Sequence, residues 1–508
     1  MQVSRLRFVP LLAFATPAVA QIVAPPVVIS DTTEDPLATI AADLNGDGRP
    51  DLVTISDLIE PGDLVTNLRP DELSWRENLG SASFGPKQVI TTSIIDGHGL
   101  HAADLDSDGD VDLLTTSGVD NKVAWYENQQ QGTFLPQSII DTPNWPTEVN
   151  AADLDGDLDL DVLVADVRLG IVWYENLGSG SFGPRQSVVT NLYCLSFAPA
   201  DVDGDGDVDV VTGDYWFSSF GWIENLGGTF GPYQVVAPVL YSPVATRQAD
   251  FDGDGDPDFV VASIGDGKIS TFENLGGGNF GPRTVIHAQA SWVWDTRPGD
   301  IDADGDFDIV TSATGLTYNE NLGNGTFGPP LALSGQVQNP LRVSFADLDL
   351  DGDSDVVTIP FSVVHDEIVW LENMTIAGFS SCDALPNSTG VPGVCTARGS
   401  AAADNNELVL KASQLVPFGF GFFLASRDLG STTPPGSAGI LCLTGNIGRY
   451  NDVNDMIFGE TGELAIDLDS IPTNPAAAVL AGETWHFQAW YRDGATSNFT
   501  NSLSVGFH

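Results

Sequence analysis

Basic residues are scarce in this chain of 508 residues, where 19 Lys and Arg stand against 70 Asp and Glu. The formal net charge is −51, and a field of this sign repels nucleic acid and anionic membranes. We therefore expect no nucleic-acid partner. Long apolar runs are missing too. None after the N-terminus approaches ~20 residues, so we predict no transmembrane span.

Cysteine is also rare, and four residues are too few for a disulfide framework. Cys194 is isolated in the sequence, and we expect it to pack as a small hydrophobe. Cys382, Cys395 and Cys442 share the C-terminal region. One disulfide there would leave one thiol over, and the pairing stays open.

Residues 1–20 have the order of features typical of a secretory signal peptide. Arg5 and Arg7 form a charged start, an apolar segment follows, and Ala18-Val19-Ala20 is a small-residue cleavage site. The alternative is a buried N-terminal strand, which this order disfavours. We expect a mature chain that begins at Gln21 and is secreted or held at the cell surface.

One acidic pattern of nine residues recurs seven times and organises the chain. It has acidic or amide side chains at positions 1, 3, 5 and 9, an apolar residue at position 2 and usually glycine at position 6. Successive copies start 61, 49, 48, 49, 50 and 47 residues apart, which indicates a repeat array. The copies begin at Asp43, Asp104, Asp153, Asp201, Asp250, Asp300 and Asp347.

This density of carboxylates predicts a hard cation, and oxygen-only ligands favour Ca²⁺. We predict up to seven structural Ca²⁺ ions. The alternative, acidic turns without metal, would leave the repulsion uncompensated. The predicted ligands at positions 1, 3, 5 and 9 are Asp43, Asn45, Asp47 and Asp51; Asp104, Asp106, Asp108 and Asp112; Asp153, Asp155, Asp157 and Asp161; Asp201, Asp203, Asp205 and Asp209; Asp250, Asp252, Asp254 and Asp258; Asp300, Asp302, Asp304 and Asp308; and Asp347, Asp349, Asp351 and Asp355.

The loops differ from EF-hands, which require Glu at position 12 and flanking helices. That position holds Thr54, Thr115 and Val164 in the first three copies. In the third loop Leu158 replaces the glycine of position 6. A positive φ there would be strained, so we predict the weakest metal site in this loop.

Each unit contains four predicted strands. The first leads into the acidic loop and the second leaves it. The third carries an aromatic residue followed by x-Glu-Asn, as in Trp173–Asn176, and Phe-Gly-Pro starts the fourth. Four strands in seven units predict a seven-bladed β-propeller. The seventh unit lacks its fourth strand, and we predict that residues 22–29 supply it by pairing with residues 367–372.

Acidic Asp-x-Asp-x-Asp-Gly-x-x-Asp loops alternating with Phe-Gly segments resemble the FG-GAP/VCBS repeat family, which includes the head propeller of integrin α-subunits. The resemblance covers residues 22–375. It implies a propeller with Ca²⁺ on one rim, in exported proteins that act in adhesion or binding.

The predicted fold class is all-β, with a seven-bladed propeller followed by a C-terminal β-sandwich-like domain. The predicted segments are a signal peptide at 1–20, the propeller at 21–375, a linker at 376–381 and the β-sandwich domain at 382–508. Strands of the last domain are predicted at Glu407–Ser413, Gly419–Ala425, Gly439–Leu443, Gly462–Leu468, Thr484–Tyr491 and Ser502–His508.

Aromatic residues outside the repeat pattern fall in loops at the end of the blades opposite the acidic loops. Trp145, Trp216 and Trp292 are the candidate ligand-binding residues, since aromatic rings stack on sugars or anchor protein partners. The alternative is that they cap the blade cores. The periodic Trp of the third strand is expected instead to pack between blades.

We expect a binding or adhesion module whose partner is a glycan or a cell-surface protein. One alternative is a polysaccharide lyase or hydrolase, and another is a passive envelope or matrix component. A tuned acid or a basic cluster in the central channel would favour the enzyme, whereas the few lysines argue against it. No catalytic constellation stands out in the sequence.

Overall fold

The computed structural model describes most of the first 373 residues and shorter stretches after them. The described residues are 23, 26–30, 35–57, 70–80, 83–302, 306–349, 353–360, 367–373, 379–382, 385, 387–388, 394–398, 409–413, 415–416, 419–450, 464–467, 483–493 and 496–506. The predicted signal peptide at 1–20 lies outside them.

Seven four-stranded antiparallel sheets form the first part of the chain, as predicted. Strand β1 (Val27–Ser30) belongs to the last of them. Blade 1 contains β2 (Asp35–Ala42), β3 (Asp51–Asp57), β4 (Asp71–Arg76) and β5 (Gln88–Ile94). Blade 2 contains β6 (Gly97–Ala103), β7 (Asp112–Ser117), β8 (Lys122–Tyr126) and β9 (Ser138–Asp141). Blade 3 contains β10 (Pro146–Ala152), β11 (Asp161–Asp166), β12 (Gly170–Tyr174) and β13 (Gln186–Val189).

The remaining blades repeat this order. Blade 4 contains β14 (Phe197–Ala200), β15 (Asp209–Asp214), β16 (Ser219–Ile223) and β17 (Gln234–Ala237). Blade 5 contains β18 (Pro243–Ala249), β19 (Asp258–Ser263), β20 (Lys268–Phe272) and β21 (Thr284–His287). Blade 6 contains β22 (Asp295–Gly299), β23 (Asp308–Ser312), β24 (Gly315–Asn319) and β25 (Leu331–Gln338). Blade 7 contains β26 (Pro340–Ala346), β27 (Asp355–Pro360), β28 (Ile368–Leu371) and β1.

The blades close into a ring. The first strands of neighbouring blades contact one another, and β2 of blade 1 contacts β26 of blade 7. The predicted N-terminal strand completes blade 7, because β1 pairs with β28 with Val27 opposite Trp370 and Val28 opposite Val369. This pairing covers an edge that would otherwise stay open.

The apolar cores lie between blades. Each of seven clusters joins residues of two adjacent blades, and the cluster that contains Leu52, Leu348 and Trp370 joins the first blade to the last. The second and third strands are buried along their whole length in most blades. Burial on both faces explains why these strands read as continuous apolar runs without alternation.

The periodic Trp packs between blades, as predicted. The ring of Trp125 in blade 2 meets Phe182 of blade 3 edge-on with 6.0 Å between centroids, and Trp173 meets Phe230 of blade 4 at 6.3 Å. Gly180 of blade 3 has a positive φ of 65°, and a Cβ there would overlap the Trp125 ring. The turn glycine is therefore needed both for its conformation and for the close approach of the indole.

The Phe-Gly-Pro segment differs from its prediction as a strand start. Its Phe makes only a single bridge to the Asn of the third strand, as Phe84 does to Asn78. The regular outer strand begins four residues later in blade 1, at Gln88. The glycine N–H donates to the carbonyl of the repeated Glu, from Gly85 to Glu77 at 2.8 Å, which fixes the crossing of the chain to the outer strand.

The C-terminal region is also all-β. A five-stranded sheet runs in the order β29 (Phe379–Cys382), β38 (Thr496–Gly506), β37 (Thr484–Asp493), β32 (Gly421–Ser426) and β35 (Gly448–Arg449). A three-stranded sheet contains β30 (Val394–Arg398), β31 (Val409–Ser413) and β36 (Leu464–Asp467). A hairpin pairs β33 (Asp428–Thr432) with β34 (Leu441–Thr444).

A strand occurs at each of the six predicted places, and β29 takes in the end of the predicted linker 376–381. One core contains residues of the three-stranded sheet, such as Leu410, together with Phe423 and Trp485 of the five-stranded sheet. The β-sandwich itself stays a prediction. Cys442 is disulfide-bonded, whereas Cys194 and Cys395 are buried free thiols.

No α-helix occurs among the described residues. Within that part of the chain, nothing qualifies as a membrane-spanning helix.

Candidate functional site

The acidic loops lie at one end of the blades, between the first and second strands. In the fourth loop Asp201 accepts hydrogen bonds from the N–H groups of Gly204 at 2.8 Å and Gly206 at 3.0 Å. Asp203 accepts from Asp205 at 3.3 Å, and Asp205 accepts from Asp207 at 2.9 Å. The backbone thus wraps around the carboxylates and holds them on the inside of the turn.

Among the described residues, at least five of these loops bring three carboxylates together with oxygens within 4.8 Å of one another. Such a set of hard oxygen ligands suits Ca²⁺ in number and type. Asp304 and Asp351, the predicted ligands at position 5 of the last two loops, lie outside the described residues. The groups are Asp104, Asp106 and Asp108; Asp153, Asp155 and Asp161; Asp201, Asp203 and Asp209; Asp250, Asp252 and Asp254; and Asp300, Asp302 and Asp308.

The aspartate at position 9 has a second role that the sequence reasoning missed. Asp161 is fully buried, and its Oδ2 accepts the N–H of Leu154 at 2.9 Å. Its Oδ1 accepts the N–H of Asn176, at the end of the third strand, at 2.7 Å. The same two bonds recur in all seven blades, at 2.9–3.2 Å and 2.7–2.8 Å.

The Asn that ends the third strand was recognised in the sequence only as part of the aromatic-x-Glu-Asn motif. Its side-chain N–H donates to the position-2 carbonyl of the preceding blade, at 2.7–2.9 Å, in every blade. The donor and acceptor pairs are Asn78 and Leu348, Asn128 and Leu44, Asn176 and Leu105, Asn225 and Leu154, Asn274 and Val202, Asn321 and Phe251, and Asn373 and Ile301. One side-chain hydrogen bond therefore joins each acidic loop to the next blade around the ring. The sequence signal for this role was the recurrence of the Asn at the same place in every unit.

Burial makes the position-9 carboxylates weak acids in the absence of a cation. It raises the pKa of Asp161 and Asp209 to about 7, and that of Asp112 and Asp258 to about 6. Backbone hydrogen bonds oppose the rise, and neighbouring loop carboxylates add to it. A divalent cation would remove this penalty.

Leu158 adopts the strained left-handed conformation that the sequence analysis considered. Its φ is 77°, against 98° for Gly206 at the same position of the fourth loop. The side chain is 86% exposed, so no packing compensates for the strain.

The opposite rim carries a cluster of aromatic side chains. Tyr193, Tyr215 and Trp216 of blade 4 lie with ring centroids 5.3–5.6 Å apart. Trp216 is 67% exposed and Trp292 68% exposed, whereas Trp145 is half-buried. Two of the three candidate ligand-binding residues are thus open to solvent, and the third is partly covered.

Trp145 and Trp292 share an unusual backbone position. Both stand eight residues before an acidic loop and have φ of 80° and 58°. At the equivalent position Asp96, Ser242 and Asn339 also have positive φ. Small polar residues tolerate this conformation, whereas a bulky aromatic residue is strained in it. Tryptophan is therefore present here against the local preference.

The innermost strands surround a channel, which is lined by three arginines of consecutive blades. Arg247 lies 3.3 Å from Oε1 of Glu148 and 3.1 Å from Oδ1 of Asp295. Asp295 is fully buried and also pairs with Arg297 at 3.3 Å, while Arg342 lines the same cavity. The sequence analysis missed this cluster, because only the blade repeat brings residues so far apart in the chain together.

Comparisons with known proteins agree with the repeat. The model of the FG-GAP-like repeat matches residues 104–164, 153–212 and 250–311. A comparison with curated proteins found no match.

Among solved structures, the chain is similar to an Agrocybe aegerita lectin that specifically recognises non-reducing terminal N-acetylglucosamine. The identity is 22%, the match covers 60% of this chain and 81% of the lectin, and the TM-score is 0.44. BBS1N in complex with ARL6DN, soaked with lead, is similar at 9% identity, over 70% and 98% of the two chains, with a TM-score of 0.49. At these scores neither structure bears on the ligands of this chain.

Replacing Leu158 by glycine should stabilise the protein by about 1 kcal/mol, because glycine relieves the left-handed strain. The matched control is Gly206→Leu, which should destabilise the fourth loop by a similar amount. Urea unfolding in the presence of Ca²⁺ measures both. Equal stabilities of Leu158→Gly and the parent chain would show that the loop is not strained.

In EDTA the melting temperature should fall as the pH rises from 5 to 8. The folded state holds protons on Asp161 and Asp209 up to about pH 7, whereas unfolded aspartate releases them near pH 4, so ionisation favours unfolding across this window. Added Ca²⁺ should raise the melting temperature more at pH 8 than at pH 5. Differential scanning calorimetry measures both effects. A melting temperature at pH 8 that does not change when Ca²⁺ is added would contradict the prediction that Ca²⁺ stabilises the fold.

Proposed function

This chain is an FG-GAP-repeat β-propeller, and from that premise we propose that it is an exported module that binds glycans on its calcium-free rim. The observation that carries the proposal is the exposure of Trp216 and Trp292 on that rim. Metal ions would act structurally at the other end, and the ligand would be held by aromatic rings.

The calcium part of the proposal rests on the convergence of carboxylates in the acidic loops. Asp201, Asp203 and Asp209 place oxygens within 4.8 Å of one another, where their repulsion needs a counter-charge. The groups contain only oxygen donors, which favours Ca²⁺ over softer metals. Seven bound ions would change the net charge from −51 to −51 + 14 = −37.

The binding part rests on three properties of the aromatic rim. Trp216 lies in blade 4 and Trp292 in the connection between blades 5 and 6, so a ligand that contacts both rings must be longer than one sugar. The Tyr193, Tyr215 and Trp216 rings support one another, which reduces the side-chain entropy lost on binding. Trp292 is held in a strained conformation, as is common at functional sites.

Exposed indole and phenol rings are flat, amphipathic surfaces, which suit the apolar faces of sugars. A cell-surface protein is the alternative partner, since exposed Trp and Tyr are also frequent anchors of protein interfaces. Export rests on the signal-peptide features of residues 1–20, and millimolar Ca²⁺ outside the cell would suit loops of this kind.

The enzyme alternative now has a specific observation in its favour, the basic cluster in the channel. A hydrolase, however, needs a carboxyl group that can donate a proton near neutral pH. Burial acts to raise the pKa of the Asp295 carboxyl. The positive charges of Arg297, Arg247 and Arg342 outweigh this effect and hold its pKa below the usual value. Glu148 accepts the N–H of Phe197 at 3.0 Å and pairs with Arg247, so it is also occupied. The channel is therefore better suited to binding than to acid catalysis.

The double variant Trp216→Ala with Trp292→Ala should lose binding on a glycan array by at least about tenfold, because each exposed ring contributes stacking contacts. Leu226→Ala removes an exposed apolar side chain at the acidic-loop end and should leave binding unchanged. The melting temperatures of both variants should match that of the parent chain. Undiminished binding by a folded double variant would exclude the aromatic rim as the site.

A further inference from the structure

The channel concentrates basic residues in a chain that has few of them. Of the 19 Lys and Arg in the sequence, three line one cavity. They come from consecutive blades, on the innermost strands β18, β22 and β26. The cluster is therefore a positively charged region in a protein whose net charge is −51.

The repeat explains how the cluster forms. Most residues three and five places before an acidic loop line the channel from the innermost strand. The charged or imidazole side chains at these places are His101, Arg247 and Arg297 three places before a loop, and Glu148, Asp295 and Arg342 five places before a loop. In the other blades the same places hold small or neutral residues, such as Ala38 and Ala198.

The charges in this layer do not cancel. Three guanidinium groups face two carboxylates, Glu148 and Asp295, which leaves one positive charge. Burial and then the proximity of Arg297 lower the pKa of His101 to about 4, so this imidazole is neutral at pH 7 and adds nothing. Burial and then repulsion by Arg247 lower the pKa of Arg297, which reports the same positive surroundings.

One guanidinium is free to meet a ligand, and a second contains an unsatisfied donor. Arg342 makes no ion pair among the described residues, although it lines the cavity. The Nε of Arg247 is buried and has no hydrogen-bond partner, and its side chain is only 11% exposed. The uncompensated positive charge costs free energy in this partly buried layer, so an anion placed in the cavity would relieve it.

The space fits a small group. The cavity has a volume of about 140 Å³ and is lined by His98, His101, Ser196 and the three arginines, among others. A cavity of ~150 Å³ holds one benzene molecule, so a carboxylate with a few carbon atoms can enter. A wider cavity of about 770 Å³ lies on the acidic-loop side and shares Arg247 and Arg297 with the first. The arginines therefore stand where the two parts of the channel meet.

We propose that this arginine cluster is a binding site for a carboxylate group, presented by an acidic sugar or by a free organic acid. The planar fork of guanidinium matches a carboxylate with two parallel hydrogen bonds. Arg342 supplies such a fork at the cavity, whereas the Nη atoms of Arg247 already donate to Ser196, Thr246 and Asp295. The cavity reaches the calcium-free side of the channel, because its lining includes His98, Thr147 and Leu195 at the start of the innermost strands. In its acidic-sugar form the inference rests on the glycan binding proposed above.

Isothermal titration calorimetry on the Ca²⁺-loaded full chain tests the site with galacturonate, acetate and glucose. Galacturonate and acetate are both carboxylates and report which source is preferred, whereas glucose lacks the charge. Arg342→Gln and Arg297→Gln remove one guanidinium each, and Arg247 is left in place because its two ion pairs join blades. Arg283→Gln is the matched control, since it removes a partly exposed arginine outside the cavity.

We expect at least one carboxylate to bind, and Arg342→Gln and Arg297→Gln each to weaken it by about tenfold or more, through loss of a charge-assisted contact. Arg283→Gln should bind like the parent chain. The proposal is overturned when neither carboxylate binds, when glucose binds as well as galacturonate, or when both channel variants are folded and bind normally. Galacturonate binding that survives the Trp216 and Trp292 substitutions would support this site even where the aromatic rim fails.

Discussion

The buried aspartate at position 9 of each acidic loop is the constraint on which the rest of the propeller depends. Its two oxygens accept one N–H from the loop and one from the end of the third strand, as Asp161 does from Leu154 and Asn176. A single carboxylate thereby fixes the geometry of the loop and the register of the blade. Because hydrogen bonds to a charged acceptor are strong, removal of this acceptor leaves two buried donors unsatisfied.

The same aspartate also acts on the contacts between neighbouring blades. The Asn held by the aspartate donates its side chain to the loop of the preceding blade, and seven such bonds complete the circle. The aromatic residue of the third strand packs against the next blade, as Trp125 and Trp173 do, which places apolar cores at the same interfaces. The acidic loops, the hydrogen bonds between blades and the apolar cores thus act together to hold neighbouring blades. The opposite rim and the channel carry residues that differ from blade to blade, which is why both proposed binding sites lie there.

The blade count, the N-terminal closing strand and the clusters of acidic ligands could be predicted, because each depends on a local pattern that repeats seven times. The structural role of Asp161 could not be separated from its predicted role as a metal ligand, since both require an aspartate at the same place. The channel arginines were not predicted, because Arg247, Arg297 and Arg342 meet only once the ring is closed. The exposure of Trp216 and the partial burial of Trp145 depend on loop conformation, which a periodic pattern does not specify.

The side chain of Asp161 either stabilises the blade through its two backbone hydrogen bonds or only repels the neighbouring carboxylates. Substitution by Asn distinguishes the two. Asp161→Asn removes a negative charge and turns one acceptor into a donor, and Asp159→Asn, two residues away, removes the same charge without touching the two backbone bonds. Urea unfolding in EDTA at pH 4 compares the two variants where the buried Asp161 is neutral, so that relief of its ionisation does not enter. Asp161→Asn should be destabilised by roughly 1–2 kcal/mol, because its amide nitrogen cannot accept the second backbone N–H, and Asp159→Asn should be unchanged or slightly stabilised. An Asp161→Asn variant as stable as the parent chain would contradict the account, since the two backbone bonds would then not depend on the carboxyl group.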